Sequence, residues 1–147
     1  MTQPYVLDTS ALMAHFLNEP GWEIVEQLLE AEAGRVFINA VAWLEFQVCL
    51  KEVAPDTAKR ERALQIYAEL LDEAWPVTRD TAAAAFALRE AATNRLPNSD
   101  ALIAATAKLQ GAMLVHRDPH FAAIPAKLLK QIVLPPKTNA AQPQKYK

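Results

Sequence analysis

The stretch Tyr5-Val6-Leu7-Asp8-Thr9-Ser10-Ala11-Leu12-Met13 decides how this chain folds. Tyr5, Val6 and Leu7 form a short apolar run of strand character. Asp8-Thr9-Ser10 supplies three consecutive residues of the kind that start helices, and residues 11–17 continue as the helix. A carboxylate therefore stands where a buried strand ends and a helix begins, which is the edge where open α/β sheets bind ligands. Taken alone, Asp8 could be a helix cap, as could Thr9 or Ser10. Its meaning depends on what the rest of the chain brings to the same edge.

Moving outward, Asn18-Glu19-Pro20-Gly21 breaks the first helix. Trp22, Val25, Leu28 and Leu29 then recur at helical spacing among Glu23, Glu26, Gln27 and Glu30, giving an amphipathic helix that stops near Gly34. Residues 35–38 read as a second strand, and Asn39 caps a helix over 40–53. On a helical wheel Gln47 and Lys51 mark the solvent side of that helix. Glu45 falls well away from them, beside Val41, Val48 and Cys49, and so is expected to face the interior. A buried carboxylate must be neutral, hydrogen-bonded, paired with a base or holding a cation. An ordinary buried ion pair or a rim position is the plain alternative. Trp43 and Phe46 read as packing residues.

A fourth helix starts at Pro55-Asp56, and its first part carries Lys59, Arg60 and Arg62 beside Glu61. Such a run is a solvated face or, in a functional reading, an arm that grips phosphate. Residues 75–77 read as a short strand, with Pro76 marking an edge or a strand start. An alanine-rich helix follows over 81–92, then a loop at 94–98. Asp100 falls in the first turn of the next helix, where the helix dipole favours negative charge. Residues 112–116 form an apolar strand, and Arg117-Asp118-Pro119-His120-Phe121 turns directly off its end. Asp118 before proline is also an ordinary turn former. Residues 131–134 make a last strand. Residues 1–134 read as one domain, and 135–147 have the composition of a disordered tail.

The chain has 147 residues, 52% of them hydrophobic and 22% charged, enough to bury a core without disulfide or metal staples. With one cysteine, Cys49, neither an intrachain disulfide nor a Cys-rich zinc site is available. The formal net charge of -2 does not advertise a nucleic-acid binder, so any grip on phosphate needs a local basic patch or a bound cation. No signal peptide or bilayer-spanning stretch is legible, and a cytoplasmic protein without membrane contact is expected.

Strands alternating with helices give an α/β fold, a mostly parallel sheet of about five strands between helical layers. Asp8 and Asp118 each end a strand, Asp100 begins a helix running to the opposite edge, and Glu45 lies within two turns of the second strand. All four can meet at one rim. Four carboxylates raise one another's pKa unless a cation enters. Oxygen-only ligands favour Mg²⁺ or Mn²⁺. Such an ion acidifies water, neutralises phosphate and stabilises a leaving oxygen in phosphodiester hydrolysis. Asp8 and Asp118 are expected as principal ligands, with Asp100 completing the set and Glu45 holding or deprotonating a water. Thr9 and Ser10 could orient metal-bound waters, and His116 could contact such a water or act as a packing residue. Arg95, Arg117 and Lys59 are the candidates for phosphate contacts.

The motifs Leu7-Asp8-Thr9-Ser10-Ala11-Leu12, Trp43-Leu44-Glu45, Ser99-Asp100-Ala101-Leu102-Ile103-Ala104-Ala105-Thr106-Ala107 and Arg117-Asp118-Pro119-His120-Phe121 resemble, in order and spacing, those of PIN-domain ribonucleases, above all the VapC toxins of bacterial toxin–antitoxin pairs. The resemblance covers residues 4–134. It implies a PIN-like three-layer α/β/α sandwich, Mg²⁺- or Mn²⁺-dependent cleavage of RNA, an acidic centre of Asp8, Glu45, Asp100 and Asp118, a homodimer and a VapB-type antitoxin. Many relatives carry threonine or serine where His116 stands, which removes that hydroxyl from any role here. Two other classes compete. A binding module with a vestigial acidic pocket would bind no metal. A phosphoryl-transfer domain with Asp8 as nucleophile would want an acid where Ser10 stands.

Overall fold

The computed structural model describes residues 3–71 and 73–137. Four strands make one parallel sheet: β1 (Tyr5–Leu7), β2 (Val36–Ile38), β3 (Met113–His116) and β4 (Gln131–Val133). Six helices flank it: α1 (Thr9–Phe16), α2 (Trp22–Ala31), α3 (Ala40–Val53), α4 (Thr57–Leu70), α5 (Arg79–Ala91) and α6 (Asn98–Leu109). Two short 3-10 helices, Pro119–Ala123 and Ala126–Leu128, join β3 to β4.

The strand order is β2-β1-β3-β4. From β1 the chain goes outward on one side to β2, then returns to β3 on the other side of β1. The carboxyl ends of β1 and β3 thus flank the point where the winding reverses, the crevice that ligands use in open parallel sheets. Register fixes the ends together: Leu7 pairs with Val115, and the Asp8 amide donates to the Val115 carbonyl at 3.0 Å.

Burial explains the strands. Val6, Leu7, Leu114 and Val115 are fully buried, as central parallel strands with helices on both faces require. α1 is buried almost throughout, from Ala11 to Phe16, and includes His15, whose ring is held by the Tyr67 hydroxyl at 2.6 Å and by Glu26 at 2.9 Å. α5 and α6 make the most extensive helix pair. Small buried residues, Ala85 on α5 and Ala101, Ala104, Ala105 and Ala107 on α6, permit this close approach.

The sheet has four strands among the described residues, not about five. The expected strand over 75–77 reduces to one bridge, Trp75 with Asn39. Trp75 exchanges backbone bonds with Ile38 and Ala40 at 2.8 and 2.9 Å, and its ring stacks on Phe37. Pro76 has no N–H with which to extend the ladder. On α3 the buried stripe is Ala42, Phe46 and Leu50, while Leu44 and Val48 are 62% and 55% exposed. Glu45 is therefore half-buried at the border of that stripe and does not point into the core.

The start of the expected tail is described. Gly21, at φ +93°, lies so close to Leu134 and Pro135 that a Cβ there would sit 2.8 Å from Pro135 Cδ. This contact seats residues 134–137 over the turn between α1 and α2. Residues 138–147 lie outside the described part.

Candidate metal centre and cleft

A cleft of about 370 Å³ opens at the carboxyl edge of β1 and β3. Its walls include Asp8, Glu45, Asp100 and Asp118, together with Arg117 and Lys137. Carboxylates far apart in the chain thus share one cavity.

Asp8 caps α1 from the end of β1. Its Oδ2 accepts the Ser10 amide at 3.0 Å and the Ser10 hydroxyl at 2.5 Å. The Ser10 hydroxyl in turn accepts the Arg117 amide at 3.0 Å, tying the end of β1 to the turn after β3. Burial pushes the Asp8 carboxyl up to about 7, and the Asp100 and Asp118 charges add to the rise against the pull of the two Ser10 bonds. Asp100 sits in the first turn of α6. Burial raises it to about 6, followed by repulsion from Asp118, with His120 acting in the opposite sense. Burial and mutual repulsion thus both disfavour the ionised carboxylates here.

Asp118 caps the first 3-10 helix, its Oδ1 accepting the His120 amide at 2.9 Å. The His120 ring brings its Nδ1 to 3.0 Å from Asp100 Oδ2 and 3.1 Å from Asp118 Oδ1. That nitrogen is buried, yet makes a directed hydrogen bond to neither oxygen. Among the described residues, Asp100, Asp118 and His120 form the set of three whose donor atoms all lie within 4.8 Å of one another. A buried ring nitrogen shared between two carboxylates is a donor set that fits a divalent cation. His120 was not a candidate from sequence. Its signal was present in the Asp118-x-His120 spacing, which places its ring beside the carboxylate that caps its own amide.

Glu45 reaches the cleft from α3 and accepts the Thr9 hydroxyl at 3.1 Å. The Thr9 and Ser10 hydroxyl protons are thus directed at carboxylates. Cys49 also lines the wall; burial, then Glu52 and Glu45, push its thiol up, so it stays protonated. His116 lies outside the cleft lining. Its Nδ1 accepts the Asp118 amide at 3.1 Å, so its Nε2 carries the proton given to Gln131 Oε1 at 2.7 Å. Burial holds its imidazole below the usual histidine range. It is a neutral strut that fixes the Asp118 turn.

The three basic candidates separate. Arg117, its side chain 8% exposed, pairs with buried Glu19 at 2.5 Å through one terminal nitrogen, while Nη1 has no partner among the described residues. Lys137 approaches the other oxygen of Glu19 at 3.7 Å. Arg95 lines an adjoining depression with His120. Lys59 lies exposed in the first turn of α4 and does not line the cleft.

The fold and this acidic centre define a PIN domain: the PIN family profile matches residues 5–127, and the chain belongs to that family. Its structural neighbours are VapC toxins of VapBC toxin–antitoxin complexes. A toxin-antitoxin complex from Klebsiella pneumoniae is 26% identical, with a TM-score of 0.66 over 88% of this chain and 96% of that one. VapBC2 from Rickettsia felis, bound to a DNA fragment from its promoter, is 21% identical, with a TM-score of 0.71 over 89% and 98%. VapC20 of Mycobacterium tuberculosis, a Sarcin-Ricin loop cleaving toxin, is 16% identical, with a TM-score of 0.64 over 89% and 99%. No curated protein matches significantly. Among the described residues, no helix is long and apolar enough to cross a membrane.

Proposed function

We propose that this chain is a divalent-metal-dependent endoribonuclease and the toxin of a type II toxin–antitoxin pair. The observation that carries the reading is the meeting of Asp8, Glu45, Asp100 and Asp118, from four separate segments, in one cleft with a donor set fit for a cation. Asp100 and Asp118 would hold Mg²⁺ or Mn²⁺; Asp8, expected from the sequence as a principal ligand, lines the same cleft but is not among the donors that lie within 4.8 Å of one another. When bound, the ion supplies charge neutralisation at the phosphate and a more acidic water.

The protein's own groups do the rest. Asp8, buried in the same cleft as Asp100 and Asp118, is placed to accept a proton from water. Ser10 holds that carboxylate in one orientation. Glu45, steadied by Thr9, faces the same space from α3 and orients water. The Lys137 ammonium offers positive charge to the phosphate chain at a cleft wall that is otherwise acidic, while Arg117, paired with buried Glu19, lines the same wall. Arg95 extends that contact from the neighbouring depression. Water adds to phosphorus as its proton passes to Asp8, the bond to the ester oxygen breaks, and the departing oxygen takes a proton from solvent.

The partners that follow are an RNA substrate, a second copy of the chain and a VapB-type antitoxin. The test is cleavage of a mixed RNA pool with Mg²⁺ or Mn²⁺, against EDTA and against Asp8→Asn. Cutting that depends on the ion and is lost in the variant is expected. Cutting undiminished by either change overturns the reading.

A further inference from the structure

We infer that His120 Nδ1 is a direct protein ligand of the cation, alongside Asp100 Oδ2 and Asp118 Oδ1, and that the centre therefore selects Mn²⁺ over Mg²⁺. The inference rests on the metal-dependent reading above and narrows it: the donor set is mixed nitrogen and oxygen rather than all carboxylate.

The geometry carries it. In an octahedral shell with bonds of about 2.1 Å, neighbouring donors stand about 3 Å apart. The two separations from His120 Nδ1, 3.0 and 3.1 Å, match that spacing. The nitrogen is buried and shared almost equally between the two oxygens, without the alignment of a single directed bond to either. It is placed as donors are placed around a common centre.

The surroundings hold the ring in position. Asp118 Oδ1 fixes the His120 amide at 2.9 Å, and His116 Nδ1 fixes the Asp118 amide at 3.1 Å. The His116 ring also packs on Phe121, the residue after His120. The His120 side chain is 43% exposed, so an ion and its waters can reach it from solvent.

Chemistry then sets the selectivity. Mg²⁺ is a hard ion that prefers oxygen and dehydrates reluctantly. Imidazole suits first-row transition ions, whose affinity at a nitrogen-containing site rises from Mn²⁺ towards Co²⁺ and Ni²⁺. The protonated Cys49 thiol offers no thiolate to a softer ion. Aspartates with one imidazole thus favour Mn²⁺ among ions that still keep several waters.

The test uses the tag-free full chain with MnCl₂. Pulsed electron paramagnetic resonance of bound Mn²⁺ should show coupling to one directly attached ¹⁴N, absent in His120→Ala. Calorimetry should show Mn²⁺ binding more tightly than Mg²⁺. In His120→Ala the Mn²⁺ affinity should fall at least as far as the roughly 10- to 100-fold typical of losing a group that only supports a ligand, with a smaller change for Mg²⁺. The wild-type spectrum needs no variant, so a folding defect in His120→Ala does not blunt the test. Bound Mn²⁺ without nitrogen coupling overturns the His120 ligand and leaves the nuclease reading intact. Absence of Mn²⁺ and Mg²⁺ binding overturns both.

Discussion

Asp8 ends β1 and Asp118 follows β3, on adjacent parallel strands. Each carboxylate accepts the amide of the residue two positions on, Ser10 in one case and His120 in the other. The backbone motif is the same, but the surroundings differ. Asp8 is buried, and its Oδ2 receives a second bond from the Ser10 hydroxyl. Asp118 is partly open, with an imidazole nitrogen and the Asp100 carboxylate beside it. One repeated turn therefore yields two kinds of carboxylate. The first is stiffened by a hydroxyl and tuned for protons. The second is left with lone pairs for a cation. Burial sets the first apart, and the residue two places downstream sets what each carboxylate touches.

Breaking the second half should cost most. Asp118→Asn removes charge from the cation set, and cleavage should fall by at least about a hundredfold, the scale of losing one charge-stabilising group. Its thermal unfolding should barely change without metal. A variant that cuts normally would show the two halves are not divided as described.

Breaking the first half should separate stability from activity. Asp8 at about 7 and Asp100 at about 6 both lie above the ordinary 3.8. The folded metal-free chain holds protons that the unfolded chain has released. The stability these two carboxyls contribute is therefore fully present below pH 4 and is lost as pH rises towards 7, by a few kcal/mol, since a tenfold change in acidity is about 1.4 kcal/mol. Urea titrations from pH 4 to 8 should show the decline, and added Mn²⁺ should oppose it at the upper end. Asp8→Asn should flatten much of the slope while abolishing cleavage. A metal-free chain that grows more stable from pH 4 to 7 would contradict the assignment.

Ser10→Ala sharpens the contrast. It removes the hydroxyl from Asp8 and orphans the Arg117 amide, for a loss of about 1–2 kcal/mol by denaturant titration. The activity profile should move to higher pH, because a bond that favours ionised Asp8 is gone. The smallest expected effect is that of Lys137→Ala, a few-fold rise in KM for RNA that shrinks as salt is added, consistent with an exposed charge at the cleft wall.

Much of this could be read in the sequence, for identifiable reasons. β1 and β3 are apolar runs followed within two residues by an acid, so strand direction alone brings Asp8 and Asp118 to one edge. α3 was harder. It is apolar on most of its surface, and the wheel could not tell the buried stripe of Ala42, Phe46 and Leu50 from the exposed Leu44 and Val48. That choice is made by tertiary packing, and with it the placement of Glu45 on the cleft wall. His120 gives little signal in one dimension, where a ring between two carboxylates looks like any turn histidine. Arg117 was picked as a cation, but its buried partner Glu19 sits about a hundred residues away in a loop, where no periodicity announces it.

The single bridge at Trp75 has a consequence for how copies of this chain behave when crowded. A bare β2 border would offer rows of backbone donors and acceptors on which a neighbouring molecule could stack. Trp75 takes up bonds there with its own main chain, and Pro76 then ends the row. On the far border β4 is three residues long, and Pro135-Pro136 follow shortly after it. Proline finishes the sheet on both flanks, a safeguard against fibril growth in a protein whose composition is more than half hydrophobic.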